Sequence, residues 1–130
     1  MIPFRIETHS GVPPYLQLMR QVRQALRMGT LRPGDQLPTV KEIVAAVAVN
    51  PNTVSRAYRE LEHEGLVEGR PGVGTFVIGR PAGPPPATHA RLVRSLRRWV
   101  DGARGEGLDD EAIESMVKAT LSDSQAEVVA

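Results

Sequence analysis

The chain has 130 residues, 16 basic against 15 acidic side chains and no cysteine, a length that admits one modest domain with at most a helical appendage and excludes a large enzyme barrel. Without cysteine there are no disulfides, no thiol catalysis and no cysteine-ligated metal centre. With no apolar run of roughly 20 residues and no basic-then-apolar start, the reading is a cytoplasmic protein that makes no membrane contact.

Apolar side chains at Tyr15, Leu18, Met19, Val22, Ala25 and Leu26 predict a first helix over Pro14 to Arg27 with one buried face. Gly29 stands at its stop, and Pro33-Gly34-Asp35 is turn chemistry. Thr39 with Glu42 three residues on is the signature of a capping box. It opens a second helix to about Val47, with Ile43, Val44 and Val47 inward. After a short break, Asn50 can cap and Pro51 suits the first turn of a third helix. That helix buries Val54, Ala57, Tyr58 and Leu61 and stops near Glu64-Gly65.

Leu66-Val67-Glu68-Gly69 and Thr75-Phe76-Val77-Ile78 read as two strands of a hairpin around the turn-rich Arg70 to Gly74. The Pro/Gly-rich stretch that follows, residues 79–87, reads as a semi-rigid extended linker. A fourth helix carries Leu92, Val93, Leu96, Trp99 and Val100 and ends toward Gly102. A fifth carries Ile113, Met116, Val117 and Leu121, with Asp109, Asp110 and Glu111 at its start as caps. The expected fold is mainly α with a small β-hairpin. A winged helix-turn-helix head spans 1–78, a two-helix dimerisation tail spans 88–122, and 123–130 form a frayed end.

The outward face of the third helix presents Asn52, Thr53, Arg56 and Arg59 just past a tight turn, which is how a recognition helix offers amide, hydroxyl and guanidinium groups to the major groove. A solvated face on a purely structural helix is the weaker reading, given the flanking turn and hairpin. Asn52 and Thr53 are assigned to base edges, and Arg56 to a base or a phosphate. Arg70 beside Gly72 and Gly74 suits a wing that lays its backbone on the minor groove and inserts a cation, although the tip could be a turn and nothing more. Residues 1–80 hold ten basic against seven acidic side chains and residues 81–130 six against eight, so the base excess lies in the head, a mild sign of a polyanionic partner.

Taken together, PYLQL at 14–18, LRPGDQLPTVKEI at 31–43, VNPNTVSRAYRELEHEGLVE at 49–68 and GVGTFV at 72–77 resemble the DNA-binding head of the GntR family in order and spacing, over residues 10–78. VNPNTV with AYRELEHEGL and a tail of about fifty residues is similar to its YtrA-type branch. The resemblance implies a homodimer on an inverted-repeat operator in double-stranded DNA, repressing its own operon, often one for a membrane transporter. Thr39, Lys41 and Asn50 then join Arg59, Arg70, Gly72 and Gly74 as phosphate or minor-groove contacts. Members commonly have serine and arginine where this chain has Thr39 and Lys41, and a lysine meets phosphate as a point charge without the planar fork. Many carry a basic residue where Pro51 stands, so no base contact carries over to that position.

In a tail this short, two amphipathic helices cannot bury both faces unaided, so Leu92, Leu96, Trp99, Val100, Ile113, Met116, Val117 and Leu121 are assigned to a subunit interface. Arg91, Arg94, Arg97, Arg98 and Arg104 read as a solvated face. Gly72-Val73-Gly74 is not a nucleotide loop, because a strand and not a helix follows it. His9, His63 and His89 lack metal spacing, and no catalytic constellation or cofactor is expected. Two rival readings are a sequence-tolerant architectural DNA binder and a fragment of a pyridoxal-phosphate enzyme fused to a head of this type, which needs hundreds more residues. Any small-molecule effector is unspecified, and fifty residues leave little room for its pocket unless it lies between subunits.

Overall fold

A computed structural model of the chain describes residues 3–129, with side chains to Ser124. The order is α1 (Pro14–Met28), α2 (Val40–Val47), α3 (Pro51–His63), β1 (Val67–Arg70), β2 (Gly74–Val77), α4 (Pro86–Gly105) and α5 (Asp110–Val129). Two compact units divide it, Met1–His89 and Ala90–Ala130. The Pro/Gly-rich stretch therefore belongs with the first unit. Among the described residues no helix is long and apolar enough to cross a membrane.

The core of the first unit is built from the predicted helix faces: Leu18, Val22 and Leu26 of α1, Ile43 of α2, Val54 and Leu61 of α3, with Val67 and Val77 from the hairpin. Burying each large aliphatic side chain stabilises by about 1.5–3 kcal/mol, and these positions hold α1, α2 and the hairpin around α3. α1 opens on Pro14 without a side-chain cap and closes at Gly29, whose φ of 80° is the left-handed stop. α2 carries the full capping box between Thr39 and Glu42.

The hairpin is antiparallel, with Val67 opposite Val77, Glu68 opposite Phe76, Gly69 opposite Thr75 and Arg70 opposite Gly74. The strands thus sit one residue inward, at the tip end, from the expected runs. The connection ahead of α2 is more than a turn. Gln36 bridges to Phe76, Leu37 N–H donates to the Thr75 carbonyl at 2.8 Å and Val77 N–H to the Asp35 carbonyl at 2.8 Å, so this segment lies as a third edge on β2. Gly79 belongs to the packing as well as to the linker: a Cβ there would stand 2.5 Å from the Gly65 carbonyl oxygen.

α4 begins at Pro86, inside the stretch expected to be linker, because proline is suited to a first helical turn. It also passes through Gly102, where an end was expected, and the true stop is Gly107. There φ reaches 103°, Gly107 N–H donates to the Arg104 carbonyl and Leu108 N–H to the Ala103 carbonyl. Asp109 caps α5 by accepting from Ala112 N–H at 2.9 Å. α5 continues as helix to Val129, where a frayed end over 123–130 was expected.

Candidate nucleic-acid interface

The turn between α2 and α3 is set by two residues. Ala48 adopts φ 51° and ψ 50°, turning the chain sharply, and Asn50 caps α3 with its side-chain oxygen accepting from Asn52 N–H at 2.8 Å. The pairing of α2 with α3 is locked by Tyr58, whose hydroxyl donates to the Pro38 carbonyl. Burial, and after it the Glu42 charge, push the Tyr58 phenol well above its ordinary value. At the far end of α3, Arg23 of α1 pairs with Glu64, and Glu62 accepts from Gly69 N–H at 2.8 Å, tying α3 to the hairpin.

With its buried face fixed, α3 leaves Asn52 and Arg56 exposed and Thr53 half-buried. These three line one concavity together with Pro13, Pro14 and Tyr15 from the start of α1. The Arg56 guanidinium carbon lies 3.8 Å from the centre of the Tyr15 ring, a close cation–π stack. The sequence reading treated Tyr15 only as part of a buried face and missed this partnership. Arg59, one turn beyond Arg56, is also exposed.

Around this centre the other residues take different parts. Lys41 is exposed in the first turn of α2 and makes no ion pair among the described residues. The Thr39 hydroxyl donates to the Glu42 carboxylate at 3.1 Å and accepts from Glu42 N–H at 3.1 Å, so its proton is engaged in helix capping, and a phosphate would need that proton. Asn50 uses its oxygen as a cap and keeps its amide N–H groups available.

On the wing, Arg70 lies over the Phe76 ring at 4.4 Å and beside the Glu68 carboxylate at 3.5 Å. The tip beyond it is Pro71, Gly72 and a prominently exposed Val73. Gly72 sits in open space at φ 74°, and Gly74 at φ 144° has a backbone conformation that favours glycine, with only the movable end of the Gln36 side chain beside it. In the second unit Leu92, Leu96, Trp99, Met116 and Leu121 are exposed, Val100 and Val117 are half-buried, and Ile113 is buried.

Three packed helices, a tight turn presenting the start of α3, and a hairpin wing define a winged helix-turn-helix DNA-binding domain. Residues 14–77 match the family described as bacterial regulatory proteins, gntR family. The HTH-type transcriptional regulator Rv1152 of Mycobacterium tuberculosis is 38% identical over 104 residues, 80% of this chain and 82% of that one. The HTH-type transcriptional repressor YtrA of Bacillus subtilis is 42% identical over 73 residues; the match spans 56% of each chain. Among solved structures, the DNA-binding domain of AraR in complex with operator ORX1 has a TM-score of 0.53 at 25% identity, over 56% of this chain and 93% of that one. The chain belongs to the GntR family, and it is a transcription regulator with a DNA-binding head.

Proposed function

We propose that the protein is a homodimeric repressor whose paired α3 helices read an inverted-repeat operator in successive major grooves about one helical turn apart. The observation that carries this reading is the convergence of Asn52, Thr53 and Arg56 on one exposed concavity at the start of α3. Amide, hydroxyl and guanidinium groups there match the donors and acceptors of base edges. Lys41, Arg59 and the Asn50 amide grip phosphate, and Arg70 enters the minor groove once it leaves Glu68.

The exposed apolar residues of α4 and α5 favour a dimer, since a second copy covers them most simply. Repression follows the similarity to YtrA, which is named a repressor. Control of its own operon, one encoding a transporter, is what the family resemblance implies.

Fluorescence anisotropy with duplex from the gene's own upstream region and with scrambled duplex, across a salt series, tests the reading. A preference of roughly a thousandfold or more for the upstream duplex is expected. Asn52→Ala lowers that preference by on the order of 1–3 kcal/mol, while Lys41→Ala weakens both duplexes alike. Equal and steeply salt-dependent binding to both duplexes would replace specific repression with architectural binding.

A further inference from the structure

Three features of the first unit bear on how Arg56 comes to be placed. The first is that the backbone carrying Tyr15 is fixed by hydrogen bonds that do not involve α3. Leu16 N–H and Gln17 N–H both donate to the Pro13 carbonyl, at 3.0 and 3.2 Å, fixing the first turn of α1. The Gln17 amide, in a residue only 9% exposed, donates its two N–H groups to the carbonyls of Val12 and Glu7, each at 2.9 Å, and accepts from Glu7 N–H at 2.8 Å. One turn on, Gln21 accepts from Arg5 N–H at 2.9 Å and donates to the Arg5 carbonyl at 2.6 Å. The arm leading into Tyr15 is thus clasped to its own helix by two glutamines.

The second feature is that Arg56, an exposed side chain with many rotamers, forms no ion pair among the described residues. Its contact with the Tyr15 ring is therefore what restrains it. The third is the geometry of that contact. With its carbon 3.8 Å over the ring centre, the guanidinium is held by the face of a ring that uses none of its N–H donors as a conventional acceptor would, so they stay free for bonding to a base or phosphate. The same concavity holds Asn52 and Thr53.

We propose that Tyr15 is a positioning residue for DNA recognition: its ring, carried on α1, holds the Arg56 guanidinium in place beside Asn52 and Thr53 before DNA arrives. This rests on the reading of α3 as the base-reading helix. The restraint removes rotamer freedom that binding would otherwise have to remove.

The test is a double-mutant cycle read by anisotropy on labelled upstream duplex and scrambled duplex, with thermal unfolding of each variant followed in parallel. Tyr15→Leu is expected to weaken upstream-duplex binding about two- to fivefold. Tyr15→Phe, which keeps the ring, is expected to bind as the parent does. In an Arg56→Gln background Tyr15→Leu should add nothing. Loss in Tyr15→Phe equal to that in Tyr15→Leu would assign the effect to a hydroxyl contact with DNA and overturn the proposal. So would an undiminished effect of Tyr15→Leu in the Arg56→Gln background, or Tyr15→Leu binding unchanged or tightened while Arg56→Gln weakens it; base reading by α3 survives all three results. If Arg56→Gln leaves the preference for upstream duplex intact, both the proposal and Arg56 as a reader fall. Should Tyr15→Leu not fold, Arg56→Lys keeps the charge without the stacked plane, and full retention of affinity by that variant overturns the proposal.

Discussion

A phenol that is 8% exposed must place its hydroxyl on an acceptor, and Tyr58 finds one in the carbonyl of buried Pro38, the residue that leads into the Thr39 cap. Tyr58→Phe leaves that carbonyl without its donor, so a loss of about 1–3 kcal/mol in a urea titration is expected. The same residue gives the fold an alkaline limit. Its folded proton affinity is raised by burial first and by Glu42 second, while in the unfolded chain a tyrosine ionises near its ordinary value of about 10. A raised folded pKa contributes stability that is fully present below the unfolded pKa and lost as pH rises past it. Stability should therefore fall more steeply above about pH 10 in the parent than in Tyr58→Phe. Identical alkaline slopes in the two proteins would show that the phenol ionises as readily in the fold as out of it.

At the scale of elements, the reading turn between α2 and α3 is held by Ala48 in a left-handed conformation. A side chain there costs about 1–2 kcal/mol that glycine avoids, partly offset by glycine's freer unfolded chain, so Ala48→Gly is expected to stabilise by roughly 0.5–1 kcal/mol. A higher urea midpoint with an unchanged slope is the expected result, and a lower midpoint would show that Ala48 carries no strain. The helices of the head were legible in the sequence because periodicity and caps agree: Val54, Ala57, Tyr58 and Leu61 are the residues α3 buries, and Thr39 and Asn50 cap where predicted. Glycine was less legible, since composition does not disclose φ. Gly102 sits inside α4 and Gly107 ends it, and Gly79 answers to the Gly65 carbonyl. Contacts between distant segments were not legible either. The Gln36 bridge to Phe76 and the Tyr15 stack on Arg56 each join residues about forty positions apart, a distance at which local pattern says nothing. The candidate reading residues were legible as a polar helical face, whereas Thr39's engagement with Glu42 emerged only from the bonding of its hydroxyl.

For the molecule as a whole the two units pose opposite problems. The head closes a core of its own, while the second unit leaves Leu96 at 54% and Trp99 at 43% exposure, and Ile113 is its buried apolar side chain among the described residues. Two exposed ion pairs in this unit, Arg104 with Asp110 and Lys118 with Glu114, add little to its stability. If a second copy covers the apolar face, one added charge there should prevent association, because an unpaired carboxylate is costly to bury. Leu96→Glu is therefore expected to sediment as a monomer while the head retains its thermal unfolding. Two linked heads engage two half-sites with an affinity that exceeds either head's alone by about 10²–10⁴. Leu96→Glu should consequently lose on the order of a hundredfold or more on a duplex carrying both half-sites, and change little on a single half-site. A monomeric variant that binds both duplexes as the parent does would mean that each head acts alone on DNA, whereas a variant that sediments as the parent does would mean that the exposed face of α4 has a different occupant.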